Sequence, residues 1–293
     1  MINKIEEIVK RIGHTKTIFG GDGIFLKIEG DNLAGSIKDR AAAYILLDAI
    51  KSGKVKEGTK VIEATSGNTG IGLAYVCREL GIECEIYMPE SMSEKRRTCI
   101  SKYGAKVVLT PASEGMSGSV KRALEECKKV GGFFADQFNN PSSIRAHYET
   151  TAKEIFSEGK YEYVVCGIGT GGTIMGIKKY IVDNNIDCQV VGVEPEQSPL
   201  LTKNQAGQHK IEGIGANFVP SILNVKDVDR VVLVDDQEAL EAVKGMSKEF
   251  GIKCGISSAA AYIVAKKLRE EGKKNILVIC PDNGERYSEE LYI

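Results

Sequence analysis

Along the chain, short β-rich runs alternate with segments of helical period nearly from end to end. The runs "GIFLKIE", "KVIEA", "CEIYM", "AKVVLT", "YEYVVCGI", "CQVVGVE", "RVVLV" and "NILVIC" predict strands. Several are almost wholly apolar, the pattern of strands covered on both faces of a parallel sheet. Between most of them lie helical segments at 37–52, 68–80, 93–103, 117–130, 142–157, 172–184, 236–250 and 257–271. This βα alternation predicts an α/β fold of parallel sheets with helices on both faces. Ligands in such folds sit beyond the carboxyl ends of the strands, where the Gly-rich and polar turns of this sequence fall.

The best candidate boundary is "DQFNNPSS", residues 136–143, a polar turn ahead of a long helix. Residues 198–223 are rich in Gly and Gln without clear periodicity and read as a loop that covers or closes something. At 293 residues the chain is long enough for two modest domains or one large α/β unit. Its 39 basic and 40 acidic residues leave a net charge of -1, so no long-range field argues for nucleic acid or a membrane surface. A small neutral or zwitterionic ligand fits better. The eight cysteines form no Cys-x-x-Cys pair, and most lie in apolar runs where a free thiol behaves as a small hydrophobe. Neither a metal site nor a disulfide framework is expected. The start "MINKIEEIVKRIG" is amphipathic and lacks the apolar core of a signal peptide, and no apolar run approaches membrane-spanning length. The expected location is cytoplasmic.

Three strand-to-helix turns carry candidate chemistry. In "GSIKDRAAAY", residues 35–44, Lys38 falls in the first turn of a helix, against the positive end of the dipole. It is either a solvated charge that tolerates a small penalty or an amine held there to be neutral. The turn "TSGNTG", residues 65–70, offers more donors than one helix cap needs and suits a carboxylate or phosphate. "GIGTGGTIMG", residues 167–176, opens a helix whose amides can surround a phosphate. Gly167, Gly169 and Gly172 also fit Gly-x-Gly-x-x-Gly, with Glu194 ending the next strand, so this motif alone leaves NAD open. Lys38 tips the balance. An imine-forming amine, a phosphate cradle and a second anion site are the three requirements of pyridoxal phosphate acting on an amino acid.

These stretches, with "MPESMSEKRR", "YGAKVVLTP", "QFNNP", "GVEPEQSP", "GIGANF", "GISSAAA" and "PDNGERY", resemble in order the cysteine synthase family. That is the O-acetylserine sulfhydrylase and cystathionine β-synthase branch of fold-type II pyridoxal-phosphate enzymes, and the match covers nearly the whole chain. The resemblance implies two open, mostly parallel twisted sheets of the tryptophan synthase β-like fold, with the active site between two domains. Residues 1–12 and 39–146 would form the smaller mobile domain, and 13–38 and 147–293 the larger one that binds the cofactor phosphate. Lys38 would form the internal aldimine and serve as the proton-transfer base. Asn68 would meet the cofactor's 3'-oxygen, and Gly169, Thr170, Gly171, Gly172 and Thr173 its phosphate. Thr65, Ser66, Gly67, Thr69 and Gln137 would grip the substrate carboxylate, while Gly213, Ile214, Gly215 and Ala216 line its amino side. The implied activity is β-replacement through an aminoacrylate, making cysteine from O-acetylserine and sulfide in a homodimer. A cysteine lyase releasing hydrogen sulfide and adding water is the alternative. A non-catalytic binding homologue is the rival from another class.

The departures from the family pattern are informative. Asn32-Leu33-Ala34 replaces an Asn-Pro, and "IGHTKTI" stands for Gly-Asn-Thr-Pro-Leu, which suggests a specialised member. Where the family offers a serine to the pyridine nitrogen, Asp282 and Asn283 occupy both positions, and the sequence leaves open which faces the ring. Asp235 falls where relatives have Ser or Thr; a carboxylate there would activate water or steer a thiol, against the plainer reading of a helix N-cap. The chain ends soon after "GERY", so a rim-covering segment usual in the family is expected to be lacking. His147 is expected to face solvent or the domain interface, and His14 and His209 are isolated. "EKRR", residues 94–97, reads as a solvated helix face.

Overall fold

The computed structural model describes residues 1–293. In chain order the elements are α1 (Ile2–Arg11), β1 (Thr17–Phe19), β2 (Ile24–Ile28), α2 (Lys38–Lys51), β3 (Val61–Ala64), α3 (Asn68–Leu80), β4 (Cys84–Pro89), α4 (Glu94–Ser101), β5 (Lys106–Thr110), α5 (Gly115–Val130) and β6 (Phe133–Phe134). There follow α6 (Ser142–Ala146), a π-helical turn His147–Ala152, α7 (Lys153–Glu158), β7 (Tyr163–Gly167), α8 (Gly172–Asp183), β8 (Gln189–Pro195), α9 (Leu200–Lys203), β9 (Arg230–Val234), α10 (Asp236–Phe250), α11 (Ile256–Glu270) and β10 (Ile276–Cys280). All eight anticipated strands form. β1 and β6 escape the pattern because three and two residues are too few to show a period.

The chain divides into two compact units, Met1–Ile12 with Lys38–Ser143, and Gly13–Ile37 with Ile144–Ile293. The division differs from the anticipated bounds in two places. Lys38 groups with the first unit, and that unit ends at Ser143, three residues before 146. Ser142 belongs there because its hydroxyl donates to Asp48 Oδ2 of α2 at 2.7 Å, whereas Ile144 packs into the apolar core of the second unit.

The first unit holds a fully parallel four-stranded sheet, β5-β4-β3-β6. Ile62, Ala64, Tyr87 and Ala123 pack one core against it. The second unit holds six strands in the order β1-β2-β10-β7-β8-β9, all parallel except β1. Its inner strands β2, β10, β7 and β8 are largely buried on both faces, which is why they read as continuous apolar runs. Val165 and Val278 face one core, while Val164, Cys166, Leu277 and Ile279 face the other. All eight cysteines are free. Burial pushes the Cys254 thiol up to about 12, so it is packing material and not a reactive thiolate. No helix is long and apolar enough to cross a membrane.

Candidate active site

In the first unit the polar turn follows the carboxyl end of β3. The Thr65 amide donates to the Tyr87 carbonyl at 3.0 Å, fastening the turn to β4, and Thr65 Oγ1 accepts from the Gly67 amide at 3.2 Å. α3 starts at Asn68, so Asn68 and Thr69 bring first-turn amides that have no partner within the helix. The Thr69 hydroxyl donates to Gln137 Oε1, which brings the distant Gln137 to this turn and leaves its amide Nε2 as a donor. Arg96 of α4 lies with its guanidinium 3.4 Å from both the carbonyl and the hydroxyl of Ser66. The "EKRR" stretch is therefore not simply a solvated face. Donors converging on one helix N-terminus, with an arginine beside them, form a set suited to an anion. Lys38 begins α2, and a Cβ on Gly72 would come within 3.1 Å of the Lys38 carbonyl, so α3 packs closely at the lysine.

Beneath that turn lies a residue the motifs did not flag. Glu63, in β3, is 2% exposed, and it accepts from the Ala64 amide at 2.8 Å and the Gln137 amide at 3.2 Å. Burial raises its pKa to about 8.

In the second unit, the loop after β7 leads into the 12-residue α8. Gly171 has φ of 88°, a conformation that favours glycine, and a Cβ on Gly169 would sit 2.4 Å from the Gly213 carbonyl oxygen. Gly213–Ala216 is thus pinned to the cradle, with the Gly215 amide donating to the Ile168 carbonyl at 3.0 Å. His209 Nε2 lies 2.9 Å from the Gly215 carbonyl, which fixes the proton on that nitrogen. Far from isolated, His209 holds this loop. Thr173 Oγ1 meets His147 Nε2 at 3.3 Å, and His147 Nδ1 meets Thr151 Oγ1 at 2.9 Å. His147 is 1% exposed, so it does not face solvent.

β10 pairs with β7 through Val278 and Val165, and Asp282 follows two residues after the end of β10. Ser36 bridges Asp282, and the Ile37 amide donates to the Pro281 carbonyl at 2.8 Å, so the residues just before Lys38 are fastened to this strand end. Asn283 is engaged locally: Oδ1 accepts from Arg286 Nη1 at 2.6 Å and from the Glu285 amide at 3.2 Å, and Nδ2 donates to the Gly30 carbonyl at 3.4 Å. Asp282 is buried, with the Tyr287 hydroxyl donating to Oδ2 at 2.9 Å. Asp235 is the N-cap of α10, accepting from the Gln237 and Glu238 amides at 2.8 and 3.1 Å and from Gln197 Nε2 at 2.5 Å. The Glu238 amide, then Gln197, lower its pKa.

The N-terminus of α8, in a loop whose glycine positions 169 and 171 have no room for a side chain, fits a phosphate. A dinucleotide fits poorly, because Glu194 is 2% exposed and spent on the Leu201 and Thr202 amides and the Thr202 hydroxyl, leaving no carboxylate for a ribose. A loop that fits a phosphate, a helix-start lysine and a separate set of anion donors are what pyridoxal phosphate acting on an amino acid requires.

The comparison with known proteins agrees. The sequence model of the pyridoxal-phosphate dependent enzyme family matches residues 10–282, and the chain belongs to this family. Within it the resemblance is to cysteine synthases. The chain is 42% identical to cysteine synthase of Staphylococcus aureus over 90% of its own length and 87% of that protein's. It is 43% identical to cysteine synthase B of Campylobacter jejuni over 96% of both. A solved hydrogen sulfide-producing enzyme of Fusobacterium nucleatum superposes with a TM-score of 0.92 at 35% identity, covering 99% of this chain and 92% of that one.

Proposed function

We propose that the chain is a cysteine synthase, joining sulfide to the three-carbon skeleton of O-acetyl-L-serine with loss of acetate. Lys38 would carry the cofactor and, freed from it, hold and return the substrate's Cα proton at Nζ. When bound, pyridoxal phosphate supplies the electron sink that makes that proton acidic and lets the β-substituent leave. Gly169 to Thr173 would hold its phosphate and Asn68 its 3'-oxygen. Of the two residues after Pro281, Asp282 is the better partner for the ring nitrogen, since the Asn283 side chain is already engaged by Arg286 and Gly30. Thr65, Ser66, Thr69 and Gln137, with the Gly67 backbone, would bind the substrate carboxylate, and Gly213 to Ala216 would line its amino side. The observation that carries this reading is the loop that opens α8, where glycine positions 169 and 171 leave no room for a side chain and the helix N-terminus suits a cofactor phosphate.

Borohydride reduction followed by peptide mass mapping tests the lysine, with the adduct expected on Lys38 and absent from Lys38→Ala. An adduct on another side chain would overturn the assignment. Cysteine formation from O-acetyl-L-serine and sulfide tests the reaction.

A second reading, a cysteine lyase, is favoured by the likeness to the sulfide-producing enzyme, one variant of which, with an aspartate replaced by asparagine, is described as complexed with an α-aminoacrylate intermediate. If Asp235 activates water here, Asp235→Asn will lose sulfide release from cysteine and keep cysteine synthesis. If the residue is only a cap, neither rate moves. We further propose a homodimer working in the cytoplasm, where eight free thiols persist; sedimentation at a monomeric mass would refute the dimer.

A further inference from the structure

The apolar strand "KVIEA" runs beneath the carboxylate-binding turn with one acidic residue in it, and that residue has no cation beside it. Glu63 is level with Ile86 across the sheet, so the charges of β4 fall on the opposite face: Glu85, paired with Lys60 at 2.7 Å and Lys106 at 3.1 Å, and hydrogen-bonded by the Tyr87 hydroxyl. On the β6 side Asp136 adds a like charge that disfavours ionisation further. α3 opens with the uncharged Asn68 and Thr69, and Arg96 of α4 is aimed at Ser66. What Glu63 does hold is backbone. Its two oxygens take the Ala64 and Gln137 amides, and Gln137 in turn takes the Thr69 hydroxyl.

We propose that Glu63 is a positioning residue for the carboxylate site, holding Gln137 in place with a neutral carboxyl whose ionisation expels the bound carboxylate. This rests on the reading of Thr65, Ser66, Thr69 and Gln137 as the substrate-carboxylate site. Ionised, Glu63 sets a negative charge two hydrogen bonds from the ligand's own. Two such charges about 8 Å apart at an effective dielectric of about 20 repel enough to weaken binding roughly thirty-fold. Coupling is reciprocal, so a bound carboxylate must raise the midpoint of Glu63 by about 1.5 pH units, the logarithm of that factor. Burial has already raised that midpoint to about 8 in the ligand-free protein, which puts the switch within reach of ordinary buffers.

The experiment is calorimetric binding of L-alanine, which has no leaving group, to the holoenzyme between about pH 6.5 and about pH 9.5, for wild type, Glu63→Gln and Thr69→Ala. The ligand's amine titrates equally in all three, so the comparison isolates Glu63. Wild-type affinity is expected to fall roughly fifteen-fold relative to Glu63→Gln across the range, about half of the full effect because the bound form is only half ionised at its raised midpoint. Parallel pH profiles for wild type and Glu63→Gln, with Thr69→Ala binding weakly, would overturn the role of Glu63 while leaving the carboxylate site standing. Unchanged binding in Thr69→Ala would instead overturn the site. A second measurement needs no variant to fold: carboxyl carbon NMR of the glutamate-labelled wild type should show one buried glutamate titrating near pH 8 and moving upward when L-alanine is added. A Glu63 signal that titrates in the ordinary carboxylate range would refute the inference.

Discussion

The burial of Glu63 makes a prediction about folding that is independent of any ligand. Replacing it by glutamine keeps the shape and one acceptor oxygen while removing the charge. In the folded chain the carboxyl holds its proton up to about pH 8, against an ordinary value of 4.5. Between those values the native state binds a proton that the unfolded state has lost. The stability this gives is fully present below pH 4.5 and drains away as pH rises through 8. Each pH unit in that window costs about 1.4 kcal/mol, so the full span is worth roughly 5 kcal/mol and the interval from about pH 5 to about pH 8 roughly 4 kcal/mol. Urea denaturation of wild type and Glu63→Gln, followed at several pH values in that interval, reads the difference directly, because every other titrating group is shared. Wild type should lose ground to the variant with a slope near 1.4 kcal/mol per pH unit. A stability difference that stays constant within about 0.5 kcal/mol across the interval would mean that Glu63 folds ionised, and the reasoning from its burial would fail.

Other perturbations follow from the same contacts. Lys27 is fully buried, with Nζ 2.6 Å from Glu158, 3.4 Å from Glu154 and 2.7 Å from the Thr15 carbonyl. Lys27→Met should destabilise by about 3 to 5 kcal/mol, read by denaturation, because it leaves two carboxylates without their cation. A Cβ on Gly176 would lie 2.6 Å from both His147 Cβ and the Ile144 carbonyl oxygen, so Gly176→Ala should cost about 1 to 3 kcal/mol. It should also weaken cofactor affinity, measured by equilibrium dialysis, since His147 supports Thr173. Asp235→Ala should lower the thermal midpoint through loss of the cap, while Asp235→Asn, which caps equally well, stays near wild type.

How much of this was legible in the sequence depends on whether a feature is local. The parallel strands were readable because burial on both faces imposes apolar runs, and the turns "TSGNTG" and "GIGTGG" because cap chemistry and glycine conformation are written in adjacent residues. The π turn at His147–Ala152 was not, since helical periodicity over 142–157 looks the same with or without one extra residue in a turn. Nor was the role of His147, which depends on Thr151 one turn on and on Thr173 across the unit. Asp235 shows the opposite case. Its capping geometry is local and was the plainer reading, while any part in chemistry has to be measured.

Glu63 and Glu194 share a sequence signal that is easy to miss. Each is a carboxylate inside or ending an apolar parallel strand, at the end of the sheet where ligands bind. Burying a charge there is costly without partners, so such a residue must either be neutralised or be given donors. Glu194 is given three, two amides and a hydroxyl, and they use it up in holding the turn that follows β8. Glu63 receives amides alone, and its environment answers by keeping the proton. One placement therefore yields a structural brace in one sheet and a buried carboxyl that keeps its proton in the other, and the kind of donor differs between them, a hydroxyl joining the amides at Glu194 and backbone amides alone at Glu63. Sequence pattern identifies the pair; only the partners brought by the fold assign their roles.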